Sequence, residues 1–209
     1  MGSTSSEPGT PLDDELGPDT VTDVEHLAVR DRLLELIRAD AVIRGPVTLS
    51  SGRRADAYLD LRRITLSGVA APLVGQLLLE LVADLFQDPG VDAVGGLTMG
   101  ADPVAIAMLH AAAAQGRTLD AFLVRKAAKE HGLQRQVEGP DIAGRRVLVV
   151  EDTSTTGTSP LMAVQAAREA GAEVVAVATI ADRATGAAQA FADAGLAYRF
   201  VYGADELGL

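Results

Sequence analysis

No cysteine occurs in the 209 residues. That excludes disulfide frameworks, thiolate zinc sites and cysteine nucleophiles together, and it accords with a reducing compartment. Tryptophan is absent as well and aromatics make up only 3%, so a core must be built from Ala, Val, Leu and Ile. No apolar run reaches membrane-spanning length, and the N-terminus lacks a basic segment followed by an apolar one. The expectation is a soluble cytoplasmic protein with no membrane partner. No Walker-type G-x-x-x-x-G-K is present, and Gly95-Gly96-Leu97-Thr98-Met99-Gly100 is a poor dinucleotide fingerprint. Positive charge is scarce too. The net charge of −11 argues against nucleic-acid binding, which depends on neutralising phosphates.

What is present suits one well-filled domain: 48% apolar and 22% charged residues. Residues 1–21 are rich in Ser, Thr, Pro, Gly, Asp and Glu and are expected to be a disordered tail. Residues 22–209 form the domain. A helix is expected over Asp23–Ala39, with Leu27, Leu33, Leu34 and Ile37 at helical spacing and Thr22 or Asp23 as its cap. Short extended runs follow at Val47–Leu49 and Ala57–Leu61, split by Ser50-Ser51-Gly52. Then helices and strands alternate. Helices are expected over Val69–Phe86, Pro103–Ala114, Pro160–Ala170 and Ala184–Ala194. Strands are expected at Val91–Gly96, Ala121–Val124, Arg146–Val150, Val174–Ile180 and Tyr198–Val201. This alternation predicts an α/β fold with a mostly parallel sheet flanked by helices on both faces. Residues 126–144 interrupt it as one long polar segment, the kind that serves as a lid or binding loop.

The strand Val147–Val150 leads into Glu151-Asp152-Thr153-Ser154-Thr155-Thr156-Gly157-Thr158-Ser159, and a helix is expected from Pro160 with Ser159 as cap. In open α/β sheets ligands bind beyond the carboxyl ends of strands. Gly157 lets the backbone turn tightly. Free amides at a helix start favour phosphate, and the hydroxyls add donors. Glu151 and Asp152 can accept hydrogen bonds from sugar hydroxyls or reach a hydrated Mg²⁺ through water. A capped βα loop that happens to be Thr-rich is the bland alternative; the acidic pair before it weighs against that.

Only two lysines stand among the eighteen basic residues, and both fall in Arg125-Lys126-Ala127-Ala128-Lys129-Glu130-His131-Gly132. Lysine acts as a mobile point charge on phosphates. A solvated surface run is the ordinary reading of such a segment. Its place at the start of the long loop, in an acidic chain, favours a cationic flap for a polyanionic ligand.

An apolar strand, two acids and T-T-G-T-S resembles the phosphoribosyl pyrophosphate motif of type I phosphoribosyltransferases. R-K-x-x-K-x-H-G after a strand is similar to the catalytic loop of the orotate phosphoribosyltransferases. Val47-Thr48-Leu49-Ser50-Ser51-Gly52-Arg53 with Tyr58-Leu59-Asp60 resembles that family's N-terminal segment over orotate. The resemblance covers about residues 24–205. It implies the type I fold, with a small hood at 22–66 and a mobile catalytic loop at 126–144. It implies transfer of ribose 5-phosphate from phosphoribosyl pyrophosphate to orotate, with Mg²⁺ held mainly by substrate and water. By the same resemblance Lys126, Lys129, His131 and Asp152 are catalytic. Arg125, Lys126, Lys129, His131 and residues 151–159 bind the sugar donor. Thr155, Arg183 and Tyr58 contact orotate, Arg183 as a bidentate fork on the carboxylate. A homodimer follows, with Lys126 serving the neighbouring subunit's site. Two family lysines are missing: Ser50 stands before S-G-R, and Thr98-Met99-Gly100-Ala101-Asp102 carries no base. Competing readings are a purine or uracil phosphoribosyltransferase, a ligand-sensing nucleic-acid-binding regulator on the same fold, and a non-catalytic nucleotide-binding module.

Overall fold

A computed structural model describes residues 18–48, 54–126 and 136–209. Helix α1 (Pro18–Leu36) widens into a π-helical turn (Ile37–Ala41). Strands β1 (Val42–Thr48) and β2 (Arg54–Leu59) pair antiparallel as a two-stranded sheet of their own. The remaining elements are α2 (Arg62–Thr65), α3 (Ala71–Leu81), β3 (Ala93–Leu97), α4 (Ala101–Ala114), β4 (Asp120–Val124), β5 (Val137–Glu138), β6 (Arg146–Ser154), α5 (Thr158–Glu169), β7 (Glu173–Asp182), α6 (Ala187–Asp193), β8 (Ala197–Gly203) and α7 (Ala204–Leu207).

The main sheet runs in the order β5-β4-β3-β6-β7-β8. Every neighbouring pair is parallel except β5 against β4. The alternation of the sequence therefore gives the α/β architecture it implies. On β6, Leu148 and Val150 pack into the core under α1, α3 and α4, while Val147 and Val149 pack under α5 and α6. Period-two alternation feeds two apolar layers from one strand, each such side chain contributing about 1.5–3 kcal/mol. Of the few aromatics present, Phe122, Phe191 and Tyr202 are fully buried, and small residues on β7 and α4 fill much of the remaining core. No helix among the described residues is long and apolar enough to cross a membrane.

Several boundaries differ from expectation. Helix α1 begins at Pro18, inside the stretch assigned to the tail, so Thr22 and Asp23 lie within the helix and do not cap it. Proline is tolerated in a first turn because its absent N–H has no partner to lose there. Leu33 and Ile37 are buried as expected, but Leu27 is exposed. The two extended runs are longer, starting at Val42 and Arg54. The helix expected over 69–86 ends at Leu81 and gives way to a 3₁₀ turn (Ala83–Phe86). Within 126–144, Val137 and Glu138 join the sheet edge. Strand β6 runs on through Ser154, so the acids lie inside it and not at its end. Residues 1–17 of the expected tail, the turn Ser50-Ser51-Gly52, Lys129 and His131 lie outside the described residues.

Candidate active site

Because β3, β4, β6 and β7 are parallel, their C-terminal ends share one edge of the sheet. Four segments gather there. They are the turn 98–100 after β3, Arg125-Lys126 after β4, residues 155–157 after β6, and residues 183–186 after β7. A parallel sheet brings residues far apart in sequence to one rim.

The acid pair stands in β6 opposite β7, with Glu151 paired to Thr179. Glu151 is only 6% exposed. The Asp152 N–H donates to Glu151 Oε1 (3.3 Å), and the Thr153 N–H donates to Asp152 Oδ1 (2.6 Å). Burial pushes the Glu151 carboxyl up to about 8, with the Asp152 charge adding to the effect. Burial also raises Asp152, partly offset by the Thr153 N–H and by Arg62. Two adjacent carboxylates away from water resist sharing full ionisation. Such a pair awaits partners: sugar hydroxyls or a cation.

Gly100 makes this arrangement possible. A Cβ there would overlap Glu151 Oε1 and crowd Asp152. The turn after β3 therefore presses its bare backbone against the acids. Asp102, in the first turn of α4, is a third carboxyl facing them. Its Oδ1 is buried without a hydrogen-bond partner, and burial raises its pKa.

Gly157 turns the chain from β6 into α5 with φ +79°, a conformation that only glycine adopts cheaply. It occupies the N-cap position with no side-chain cap bond. This overturns Ser159 as the cap: Ser159 is already helical, and the left-handed glycine does the turning. Pro160 sits in the first turn as expected, and buried. Thr155, Thr156, Thr158 and Ser159 face solvent, and the hydroxyls of Thr156 and Thr158 bond each other (2.9 Å). Among the described residues, the backbone N–H groups from Thr155 to Ser159 have no acceptor. Orphan amides at a helix N-terminus form a ready anion cradle.

Arg183 follows β7 directly. Its N–H donates to the Ser154 carbonyl (3.0 Å), and the Ala187 N–H donates to that of Thr155 (3.1 Å). The turn carrying Arg183 is thus clamped onto the hydroxyl turn. Its half-buried guanidinium has no carboxylate partner among the described residues. At the loop's base, the Arg125 N–H donates to the Gln136 carbonyl (2.9 Å), and Gln136 Nε2 returns a bond to the Arg125 carbonyl (3.0 Å). Arg125 also pairs with Glu138 (3.5 Å). Lys126 is exposed beyond that staple.

Set beside known proteins, residues 69–194 match the phosphoribosyl transferase domain. An orotate phosphoribosyltransferase of Streptomyces avermitilis is 73% identical over 182 residues, spanning 87% of this chain and 98% of that protein. The chain belongs to the orotate phosphoribosyltransferase family. Among solved structures, the Mycobacterium tuberculosis orotate phosphoribosyltransferase in complex with Fe(III) dicitrate shares 57% identity and a TM-score of 0.78, covering 87% of this chain and 99% of that one. The same enzyme in complex with phosphoribosyl diphosphate shares 52% identity at a TM-score of 0.75, over the same shares of the two chains.

In this chain the structure brings Glu151, Asp152, residues 153–159, Arg183, Arg125 and Lys126 to one edge of the sheet. Tyr58 lies on β2, half-buried, with its hydroxyl 3.5 Å from Arg62 Nη2. The charges of Asp60 and Arg62, which follow β2, act on Asp152. Sequence reasoning missed Arg62 and Asp102. Arg62 stands in the ordinary-looking run Leu61-Arg62-Arg63, and Asp102 read only as a turn residue. The one signal available was the placement of Asp102 at a helix start, beside a turn that lacked a base.

Proposed function

We propose that this chain catalyses the reaction of its family, joining orotate to the ribose 5-phosphate of phosphoribosyl pyrophosphate. The products are orotidine 5′-phosphate and pyrophosphate, a step of de novo pyrimidine synthesis in the cytoplasm. The observation that carries the reading is the unpaired amide row at 155–159, shortly after buried Glu151 and half-buried Asp152. The amides and the hydroxyls of Thr155, Thr156, Thr158 and Ser159 take the 5-phosphate, with Thr153 and Ser154 leading into the turn. Glu151 and Asp152 accept from the ribose hydroxyls and fix the anomeric carbon. Arg183 forks onto the orotate carboxylate, with Thr155 and Tyr58 beside the pyrimidine.

A ring nitrogen of the orotate dianion displaces pyrophosphate at the anomeric carbon. The bond to the leaving oxygen breaks as the new C–N bond forms. Orientation of two reactants contributes up to about 7–11 kcal/mol in well-aligned cases. Lys126, Lys129 and His131, with Arg125 at the base of the loop, neutralise the charge growing on the diphosphate. Among the described residues no group of three His, Cys, Asp or Glu side chains could hold a metal. The hard oxygens of Glu151 and Asp152 suit a hydrated Mg²⁺ carried mainly by the diphosphate. When bound, that ion would neutralise the leaving group.

The site is completed by a second copy of the chain. A groove of about 1060 Å³ between α3 and α4 is lined by Leu66, Met99, Ile106 and Ala107 and opens beside the acid pair at Arg62 and Asp102. Leu66 is 74%, Met99 69% and Ile106 45% exposed. A contiguous apolar patch of this kind supports association. In this reading a twin covers the patch and supplies its Lys126 to this site. The chemistry is tested by following orotate absorbance with purified protein, Mg²⁺ and the sugar donor, with uracil and hypoxanthine as controls. Loss of orotate alone supports the reading; loss only of a control base, or no turnover of any base, contradicts it.

A further inference from the structure

The rim of the site holds four carboxyl groups: Glu151, Asp152, Asp102 and Asp60. A diphosphate could not settle there without a cation nearby. The turn 98–102 after β3 offers none, and Lys126 stands beyond the loop staple. Arg62, at the start of α2, stands where one is needed. It lines the same groove mouth as Met99 and Asp102, and its charge bears on Asp152. Its Nε is held by Asp60 Oδ1 (2.8 Å), and its Nη2 is 3.5 Å from the Tyr58 hydroxyl. Nη1 has no partner among the described residues. The side chain is 46% exposed and its ion pair half-open to water, so the pair is weak and easily exchanged for a stronger anion.

We propose that Arg62 is a further substrate-binding residue, which contacts the diphosphate of the sugar donor across the acidic rim. This rests on the function proposed above. Asp60 holds the guanidinium in place until the ligand arrives, and Nη1 with Nη2 then presents a planar fork to phosphate oxygens. The orotate carboxylate is the other anion in reach. Arg183 already serves it, and the shared boundary of Arg62 with Met99 and Asp102 places Arg62 on the side of the turn after β3.

The test is calorimetric titration of the full-length protein with inorganic pyrophosphate and Mg²⁺, alongside steady-state kinetics. For Arg62→Ala, pyrophosphate affinity and the KM for the sugar donor should weaken roughly ten- to a hundredfold, the range of a charge-assisted hydrogen bond, while the orotate KM stays within about twofold. Arg62→Gln keeps a hydrogen bond to Asp60 without the charge and should weaken pyrophosphate similarly; it decides the matter if the alanine variant does not fold. Unchanged pyrophosphate affinity in the folded variant overturns the assignment, as does a rise confined to the orotate KM. If the wild-type protein consumes no orotate, the function above fails instead, while the titration still judges Arg62.

Discussion

Glu151 and Gly100 stand so close that position 100 has no room for a side chain: a Cβ there would overlap the Glu151 carboxylate. The conformation of the acid pair is therefore set by a residue far upstream in the sequence. Gly100→Ala should push Glu151 off its place on β6. We expect kcat/KM for the sugar donor to fall by about tenfold or more, the cost of misplacing one positioning contact. Circular dichroism should show the fold intact. Unchanged kinetics would mean that Glu151 does not contact the donor in the position seen here.

The same carboxyl gives a pH signature. Its ordinary value is 4.5, and burial raises it to about 8 in the folded chain. Between those values the unfolded chain has released the proton and the folded chain keeps it. By linkage, this group's contribution is fully present below pH 4.5 and is lost as pH rises toward 8, levelling above. Thermal melting from pH 5 to 9 should show a decline that Glu151→Gln flattens. Donor binding favours the ionised form, so wild-type affinity should strengthen from pH 7 to 8 with proton release, measurable by calorimetry in two buffers.

Gly157 carries φ +79°, and a Cβ there would also press on the Phe191 ring at 3.2 Å. Gly157→Ala should cost about 1–2 kcal/mol from the left-handed backbone alone, seen as a lower melting temperature. The relaxed turn would also re-aim the amides of Thr158 and Ser159. A raised KM for the sugar donor should accompany the stability loss; a stability loss with unchanged KM would separate the turn from phosphate binding.

Lys126 is exposed beyond the staple between Arg125 and Gln136. Lys126→Ala should therefore fold normally and lose turnover by about a hundredfold or more, as loss of transition-state charge stabilisation does. Mixed with Asp152→Asn protein, it should regain part of the activity, because one site in each mixed dimer keeps both residues. No recovery after verified subunit exchange would place Lys126 in its own subunit's site.

Much of this was legible from local pattern. Val174–Ile180 reads as a strand because it is a nearly continuous apolar run in which β-branched residues are prominent, and the hydroxyl turn reads as a ligand loop because acids precede it. What failed to show was set by tertiary contact. Strand β6 continues through Glu151 and Asp152 only because β7 pairs with them, whereas two acids in isolation read as a strand's end. Gly157, not Ser159, starts α5, since a glycine in left-handed conformation turns the chain without a hydroxyl cap. Two-residue β5 is too short to carry any periodicity. Arg62 and Asp102 reach the site through the sheet edge, a juxtaposition that no local spacing encodes.

The most direct measurement is a crystal structure of the protein soaked with phosphoribosyl pyrophosphate and Mg²⁺. The 5-phosphate should lie on the amides of residues 155–159, with the ribose hydroxyls on Glu151 and Asp152. A donor bound elsewhere, with that cradle empty, would contradict the account.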